Sequence, residues 1–374
     1  MPNTINRVWR IARPIDGLPC PDDFTLTHEP LPEPGEGQVL MRTLYIGIAP
    51  GVRPLMPYAG AAPDVAQRGK PDQPNDQQPD PSRIRVGERM RSGIVPSSSP
   101  FAGGTVGQVI RSHHPNYREG DYIFGGRYWQ DYEVVDGDAS LRINPADLPI
   151  EADLSLIGRS SFTAWVGWKH YCNARAGETI VVSAAAGNIG MLVCQLARDA
   201  GLRVIGIASG AEKCAFVMQE LGADACIDRS RDDVGEALDR LTPDGVDIYF
   251  DNVGGNVRNA IYTRLRMHGR LIVCGMAAEY NGAEQGTLPT GAILARRLRI
   301  EGFVVLDHDA DYTAFREDIA SMWHAGRLRW RQHIFEGLEQ APVALAACLS
   351  GRSSGGKILV RVAEDTGKDQ SPAR

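Results

Sequence analysis

Apolar and polar positions follow two different rhythms along this chain. Up to about residue 145 the apolar runs are short, strand-like and broken by glycine and proline. VLMRTLYIGIAP (39–50) predicts a strand entering a Pro-Gly turn, and GGTVGQVI (103–110), REGDYIFGG (118–126) and WQDYEVVDG (129–137) predict further strands. Short strands punctuated in this way predict a small, strongly bent β-barrel. After about residue 150, buried strands alternate with helices. TIVVSA (179–184) leads into a helix from about Asn188 to Ala200, and RVIGIAS (203–209) into a helix over 211–222 closed by its glycine. ACIDRS (225–230), the helical DDVGEALDRL (232–241), VDIYFDNVGG (246–255) and RLIVCGM (270–276) continue the series. This alternation predicts an α/β fold with a parallel, doubly wound sheet.

Two stretches interrupt the first rhythm. Residues 59–83 are rich in Pro, Asp and Gln and almost free of large apolar side chains, so burial there cannot offset the ordering entropy. A long, mobile loop is expected, with a role as lid, partner site or plain insertion left open. VPSSSPFAGG (95–104) predicts a second, shorter loop.

A chain of 374 residues fits two domains rather than one core. Its net charge of −6 gives no electrostatic reason to expect nucleic acid or an anionic membrane as partner. No apolar run reaches the roughly 20 residues of a spanning helix, and MPNTINRVWRIARP lacks the apolar core of a secretory signal. The seven cysteines are scattered with no C-x-x-C pair, which predicts reduced intracellular thiols and argues against a structural zinc site. A cytoplasmic protein without a catalytic metal is expected.

The strongest motif is SAAAGNIG (183–190), between a predicted strand and a predicted helix. Ala185, Gly187 and Gly190 take the three positions of G-x-G-x-x-G, with alanine for the first glycine. The motif supplies a tight turn, bare backbone where a pyrophosphate approaches, and a small residue where helix meets strand. The phosphates would lie on the first amides of the helix. An NAD site usually presents an acid at the tip of the second strand. Here that strand ends Ala208, Ser209, Gly210, followed by Lys213, with Arg229 after the third strand. Two cations and a hydroxyl favour a 2′-phosphate, hence NADPH, over a free ribose hydroxyl. Glu212 counts against this unless it faces solvent, and the two cations could also be ordinary surface charges. Asp251 and Asn252 end a strand where such sheets bind ligands, so at least one is expected to face the cofactor.

The chain resembles the zinc-independent branch of the medium-chain dehydrogenase/reductase superfamily. Within it, the match is to the group of leukotriene B4 dehydrogenases/prostaglandin reductases, alkenal double-bond reductases and curcumin reductases. The resemblance runs nearly the whole length and rests on LMRTLYIGIAP with Arg53 downstream, GERMRSG (87–93) and WQDYEVVDG. In the second half it rests on AGETIVVSAAAGNIG, GAEK (210–213), PDGVDIYFDNVGG (243–255), VCGMAAEYN (273–281) and LRIEGFVV (298–305). It implies a GroES-like catalytic domain (1–150, with 326–374) around a Rossmann domain (151–325). Helical text around 311–326 and the closing strand KILVRV (357–362) are expected to return to the first domain. It further implies that Gly187, Asn188, Ile189 and Gly190 meet the pyrophosphate, and that Ser209, Gly210 and Lys213 meet the adenosine phosphate. Asn252, Gly275, Phe303 and Val304 would line the track towards the nicotinamide. A homodimer is also implied.

The departures from the family pattern cluster in the substrate half. The turn after the first long strand reads A-P-G-V-R, with Gly51 where some relatives have a pocket tyrosine, leaving room for a different or bulkier substrate. G-R-S-S-F-T-A-W (158–165) brings Arg159 towards the domain junction, where Trp129 is also expected to pack. Arg229 replaces a family tyrosine, and Ser354 in S-G-G-K, a candidate cofactor contact, replaces the asparagine of the late N-x-G-K pattern.

Without a metal, a carbonyl must be polarised by hydrogen bonds, which disfavours alcohol oxidation and suits conjugate reduction of an enone or enal. Tyr280 matches the tyrosine that relatives place beside the nicotinamide ribose. A phenol of ordinary pKa, about 10, can donate a hydrogen bond or the proton, or else only pack the cofactor. Gly51, Arg53, Arg159 and Tyr280 are the candidate substrate residues, although Arg53 also fits a structural ion pair. Cys274 follows a buried strand with no paired base and is expected to be inert. The alternatives are a quinone or ketone reductase on the same scaffold, and a non-catalytic dinucleotide-binding protein.

Overall fold

The computed structural model describes residues 5–60, 82–93, 102–281 and 287–365. The loops expected over 59–83 and 95–104 therefore lie largely outside the described residues. The chain divides into two units: residues up to Arg159 with His333–Arg352 and from Ile358 onward, and Ser160–Gln332 with Ser353–Lys357.

The first unit is built on β1 (Ile5–Ile11), β2 (Phe24–Pro30), β3 (Gln38–Gly47), β4 (Thr105–Ser112), β5 (Tyr122–Gly126), β6 (Tyr132–Asp136) and β7 (Leu141–Ile143). β1 and β2 pair antiparallel, and β3 pairs antiparallel with both β4 and β6. Two register shifts along β3 against β4 bend the strand, as bulges do. The strand stops at Gly47, earlier than the 39–50 reading, because Pro50 opens a 3-10 turn over Pro50–Leu55. Ile11, Phe24, Ile46, Met56 and Trp129 form one packed core, and Val39, Met41, Val109 and Ile123 a smaller one.

The second unit holds the parallel sheet. Its strands are β8 (Thr179–Ser183), β9 (Arg203–Ala208), β10 (Ala225–Asp228), β11 (Val246–Asp251), β12 (Leu265–Val273) and β13 (Arg299–Gly302). Their order in the sheet is β10-β9-β8-β11-β12-β13. From β8 the chain winds outward through β9 and β10, then returns to β11 and winds the other way. That reversal leaves a crevice at the carboxyl ends of β8 and β11, where such sheets take their ligands.

The helices are α1 (Arg159–Val166), α2 (Asn188–Asp199), α3 (Ala211–Gln219), α4 (Val234–Leu241), α5 (Gly255–Tyr262), α6 (Thr290–Arg296) and α7 (Tyr312–His324). α4 starts two residues later than its helical text because Asp233 is its cap, accepting from the Glu236 amide at 2.8 Å. α3 ends at Gln219 rather than at the glycine, and the Leu221 and Ala223 amides then close onto Phe216 and Val217 carbonyls.

The late part of the chain needs correction. α7 belongs to the second unit rather than returning to the first, since Phe315 packs on Phe162 with ring centroids 5.1 Å apart. The chain then adds β14 (Gln332–Glu336), α8 (Ala341–Ser350) and β15 (Lys357–Arg361). β15 pairs with β3 in the first unit, but Ser353–Lys357 just before it belongs to the second. Among the described residues no helix is long and apolar enough to cross a membrane.

Candidate active site

The chain leaves β8 through Ala184, held at φ +48, and the Gly187 amide donates back to the Ala184 carbonyl at 2.8 Å. α2 begins at once, with Gly187 as its cap and no side chain hydrogen-bonded there. First-turn amides of a helix have no intrahelical partner and lie at the positive end of its dipole, so this end suits a phosphate. A Cβ at Gly190 would stand 2.4 Å from the Ala184 oxygen, so only glycine lets the helix sit this close to the turn. At Gly187 the same test gives 3.2 Å, a tighter fit than usual but not a collision. Ala185, in the first-glycine position, is fully buried. Its methyl is accommodated because β9 carries Gly206 opposite, where a Cβ would come within 2.9 Å of it.

The late segment closes over this turn. The Gly356 amide donates to the Ala186 carbonyl at 2.6 Å, and Gly356 bridges to Gly187. Gly356 sits at φ +75, and a Cβ there would meet the Arg331 oxygen at 2.2 Å. This places Ser354 beside the turn, where its carbonyl accepts from Arg331.

Next to it lies the second-strand end. Ser209 and Gly210 are half-buried, and the Gly210 amide donates to Asp228 Oδ1 at 2.7 Å. Lys213 is half-buried, while Arg229 and Glu212 are exposed. Burial and then the nearby Arg229 charge lower the Lys213 pKa, against an opposing pull from Glu212. Two cations held close enough to disfavour each other are what an anionic group would relieve. Glu212 lies towards Arg331, at 3.5 Å. Sequence reasoning missed Asp228: buried, its Oδ1 accepts from Gly210 and Ser230, while its Oδ2 is buried without a hydrogen-bond partner. A carboxylate ending the third strand was the available signal.

At the other end, Asp251 and Asn252 divide the expected roles. Asp251 is fully buried and saturated, accepting from Tyr249, the Val253 and Gly254 amides, and Arg258. It is a framework residue. Asn252 donates to the Ser183 carbonyl at 2.8 Å, while its own side-chain oxygen is buried without a partner. Asn188 likewise donates to Ser161 Oγ and keeps a buried, unpartnered oxygen.

Gly275 packs on Asn252, where a Cβ would meet the Asn252 carbonyl at 3.1 Å. Tyr280 is 7% exposed, and its hydroxyl oxygen accepts from the Met276 amide at 3.4 Å. Phe303 stacks on Tyr171 with ring centroids 4.9 Å apart, and Val304 is half-exposed. Ile189 is half-buried at the start of α2. Burial pushes the Cys274 thiol up, away from a reactive thiolate.

The ion pair under this loop was also missed. Arg258 joins Asp251 at 2.6 Å and Glu279 at 3.2 Å, and Glu279 also accepts from the Gly255 amide. Burial opposes the Arg258 charge, but the two carboxylates together hold its pKa above the ordinary value. Nothing in the spacing of Asp251, Arg258 and Glu279 announces that they meet.

The remaining candidates belong to the first unit. Gly51 is exposed, with nothing within 4 Å of an added Cβ. Arg53 is fully buried, donating to the Gly17 carbonyl at 3.1 Å with its guanidinium 3.8 Å over the Tyr58 ring. These partners give it a packing role. Arg159 donates to the Ser92, Ala102 and Gly103 carbonyls and so ties chain segments together within its unit. Trp129 lies in the core of the first unit and donates to Ser92 Oγ at 2.7 Å.

A six-stranded parallel sheet with a bare helix start, adjoining cations and unpartnered buried oxygens at its carboxyl edge defines a dinucleotide-binding protein, and these groups fit such a cofactor. The chain belongs to the zinc-independent branch of the medium-chain dehydrogenase/reductase superfamily. Residues 188–321 match a family described as zinc-binding dehydrogenase, and residues 7–74 and 75–143 one described as the N-terminal domain of oxidoreductase. The chain is 34% identical to the NADPH-dependent curcumin reductase of Escherichia coli, over 96% of this chain and 98% of that protein. It is 34% identical to the NADP-dependent 2-alkenal reductase of Nicotiana tabacum, over 75% of this chain and 82% of that one. The crystal structure of CurA from Vibrio vulnificus in complex with NADPH superposes with a TM-score of 0.81 at 30% identity, covering 96% and 100% of the two chains.

Proposed function

We propose that this protein is an NADPH-dependent reductase of activated carbon-carbon double bonds in enones or enals, working without a metal. The observation that carries it is the bare start of α2 beside the Lys213–Arg229 pair, a site shaped for a diphosphate and a second, 2′-linked phosphate. The curcumin and 2-alkenal reductases it resembles support the substrate class.

The amides of Gly187, Asn188, Ile189 and Gly190 would hold the diphosphate, with Ala185 buried beneath the turn. Ser209, Gly210, Lys213 and Arg229 would hold the 2′-phosphate, and Ser354 sits over the turn. Asn252, Gly275, Phe303 and Val304 would fix the nicotinamide end, with the Asn252 oxygen as a waiting acceptor. When bound, NADPH supplies a hydride to the β-carbon of the conjugated substrate. The protein's part is alignment, exclusion of water and stabilisation of the charge that moves to the substrate oxygen. Tyr280 is the residue for the last task. A phenol of ordinary pKa is protonated at neutral pH and is able to donate a hydrogen bond. Gly51 gives the substrate room. We also propose a cytoplasmic homodimer, supported by the family likeness and by seven free thiols in the chain.

The test is loss of NADPH absorbance against a panel of enones, enals, quinones and ketones. A saturated product with its carbonyl intact supports the reading. Turnover of quinones or ketones alone, or of nothing, overturns it.

A further inference from the structure

We infer that the second unit carries a surface site for a divalent transition-metal ion, built from His170, His308 and Asp311. The proposal is independent of the reductase reading.

The three side chains come from two irregular segments. His170 lies on a π-helical stretch, Gly167–Cys172, which follows α1. π-Helical turns are rare and often mark functional positions. His308 and Asp311 lie on the 3-10 stretch Val305–Asp311 after β13, which kinks at His308. Their ligand atoms all lie within 4.8 Å of one another. Asp311 Oδ2 is 3.1 Å from His170 Nε2 and 3.5 Å from His308 Nδ1. Ligands in a tetrahedral zinc site stand ~3.3 Å apart, given Zn–N bonds of about 2.0–2.1 Å. The two carboxylate–imidazole separations are thus close to the spacing a bound ion needs.

A second observation concerns the far side of His308. Its Nε2 lies 3.0 Å from the Tyr171 hydroxyl. A ligating histidine typically gives its other ring nitrogen to an oxygen, which fixes the tautomer and aims the lone pair at the metal. With the Nε2 proton given to Tyr171, the Nδ1 lone pair faces the Asp311 carboxylate. In that tautomer two acceptors face each other and a cation fits between them; in the other, Tyr171 donates to Nε2 and Nδ1–H is given to Asp311.

The surroundings favour a cation. Asp307 and Asp309 are exposed beside the site. The nearby Lys169 is engaged elsewhere, 4.1 Å over the Trp165 ring and 3.9 Å from Asp318. His170 and Asp311 are partly exposed, so water can complete the shell. Two imidazoles and one carboxylate suit zinc, cobalt or nickel better than magnesium or calcium. Because Tyr171 also stacks on Phe303, an ion here would stiffen a residue of the proposed cofactor track.

The experiment titrates Co2+ into tag-free, chelator-treated protein above the ordinary imidazole pKa of about 6.5. We expect saturable one-to-one uptake with visible d–d absorption, displaced by Zn2+, and a rise in Tm with Zn2+. His170→Ala and His308→Ala should each abolish that uptake, and Tyr171→Phe should weaken it about 10- to 100-fold. His170 is exposed, so His170→Ala tests the site without disturbing the core, and circular dichroism checks each fold. No uptake by the native protein, or uptake unchanged in both histidine variants, would overturn the proposal and leave an ordinary hydrogen-bonded His–Asp cluster.

Discussion

Arg258 Nε lies 2.6 Å from Asp251 Oδ2, with side chains 7% and 0% exposed. Through this pair the end of β11 and the loop bearing Gly275 and Tyr280 share one anchor, because Arg258 also holds Glu279. Arg258→Met leaves two buried carboxylates without their cation. Breaking a buried pair in this way costs about 3–5 kcal/mol. The denaturant midpoint should fall accordingly, and a loss below about 1 kcal/mol would show that the pair does not organise the loop.

Gly190→Val tests the cradle. Its Cβ would collide with the Ala184 oxygen, so either the turn or the helix start must move. NADPH binding by calorimetry should weaken about 10-fold or more, equivalent to about 1.4 kcal/mol, while circular dichroism stays native. Undiminished binding would place the diphosphate elsewhere.

Lys213→Ala and Arg229→Ala address the choice of cofactor. Each removes a charge-assisted contact worth about 1.5–3 kcal/mol, so the Kd for NADPH should rise roughly 10- to 100-fold. NADH, which lacks the 2′-phosphate, should be nearly unaffected. Equal losses for both nucleotides would mean that the cations do not read that phosphate.

Tyr280→Phe should lower kcat by about 10-fold. That is less than the 100-fold or more of a full general acid, because water or a ribose hydroxyl can substitute. Unchanged turnover with NADPH bound normally would leave Tyr280 a packing role only.

Glu133 carries a pH dependence in the first unit. Burial raises its pKa to about 7 from the ordinary 4.5, although the Tyr128 and Arg127 amides pull the other way. The folded chain therefore binds a proton that the unfolded chain has released between these values. Its contribution is complete below about 4.5 and is lost as pH rises through about 7, on the order of 3 kcal/mol in all. Glu133→Gln should flatten the fall in Tm across that window, and an unchanged slope would assign the titration to another group.

The local elements and the glycine turn after β8 were legible in the linear chain. Runs such as TIVVS and RVIGIA can only be buried strands, and the small residues of SAAAGNIG admit few shapes between strand and helix. These are short-range constraints, so a linear reading captures them, as it does Lys213 beside Gly210. It read less well where a cap or a proline overrode periodicity, as at Asp233 and Pro50.

Tertiary structure decided everything that depends on distant partners. Asp251, Arg258 and Glu279 form one network only because α5 and the 275–280 loop meet at the end of β11. Arg53 and Arg159 carry charges that suggest chemistry in one dimension, and in three dimensions each donates to a backbone carbonyl within its own unit. Ser353–Lys357 docks on the turn between β8 and α2 rather than staying with the strand that follows it. Gly206 matters because it faces Ala185, and His170 because it meets His308. Periodicity records which face of an element is buried, but not what is buried against it.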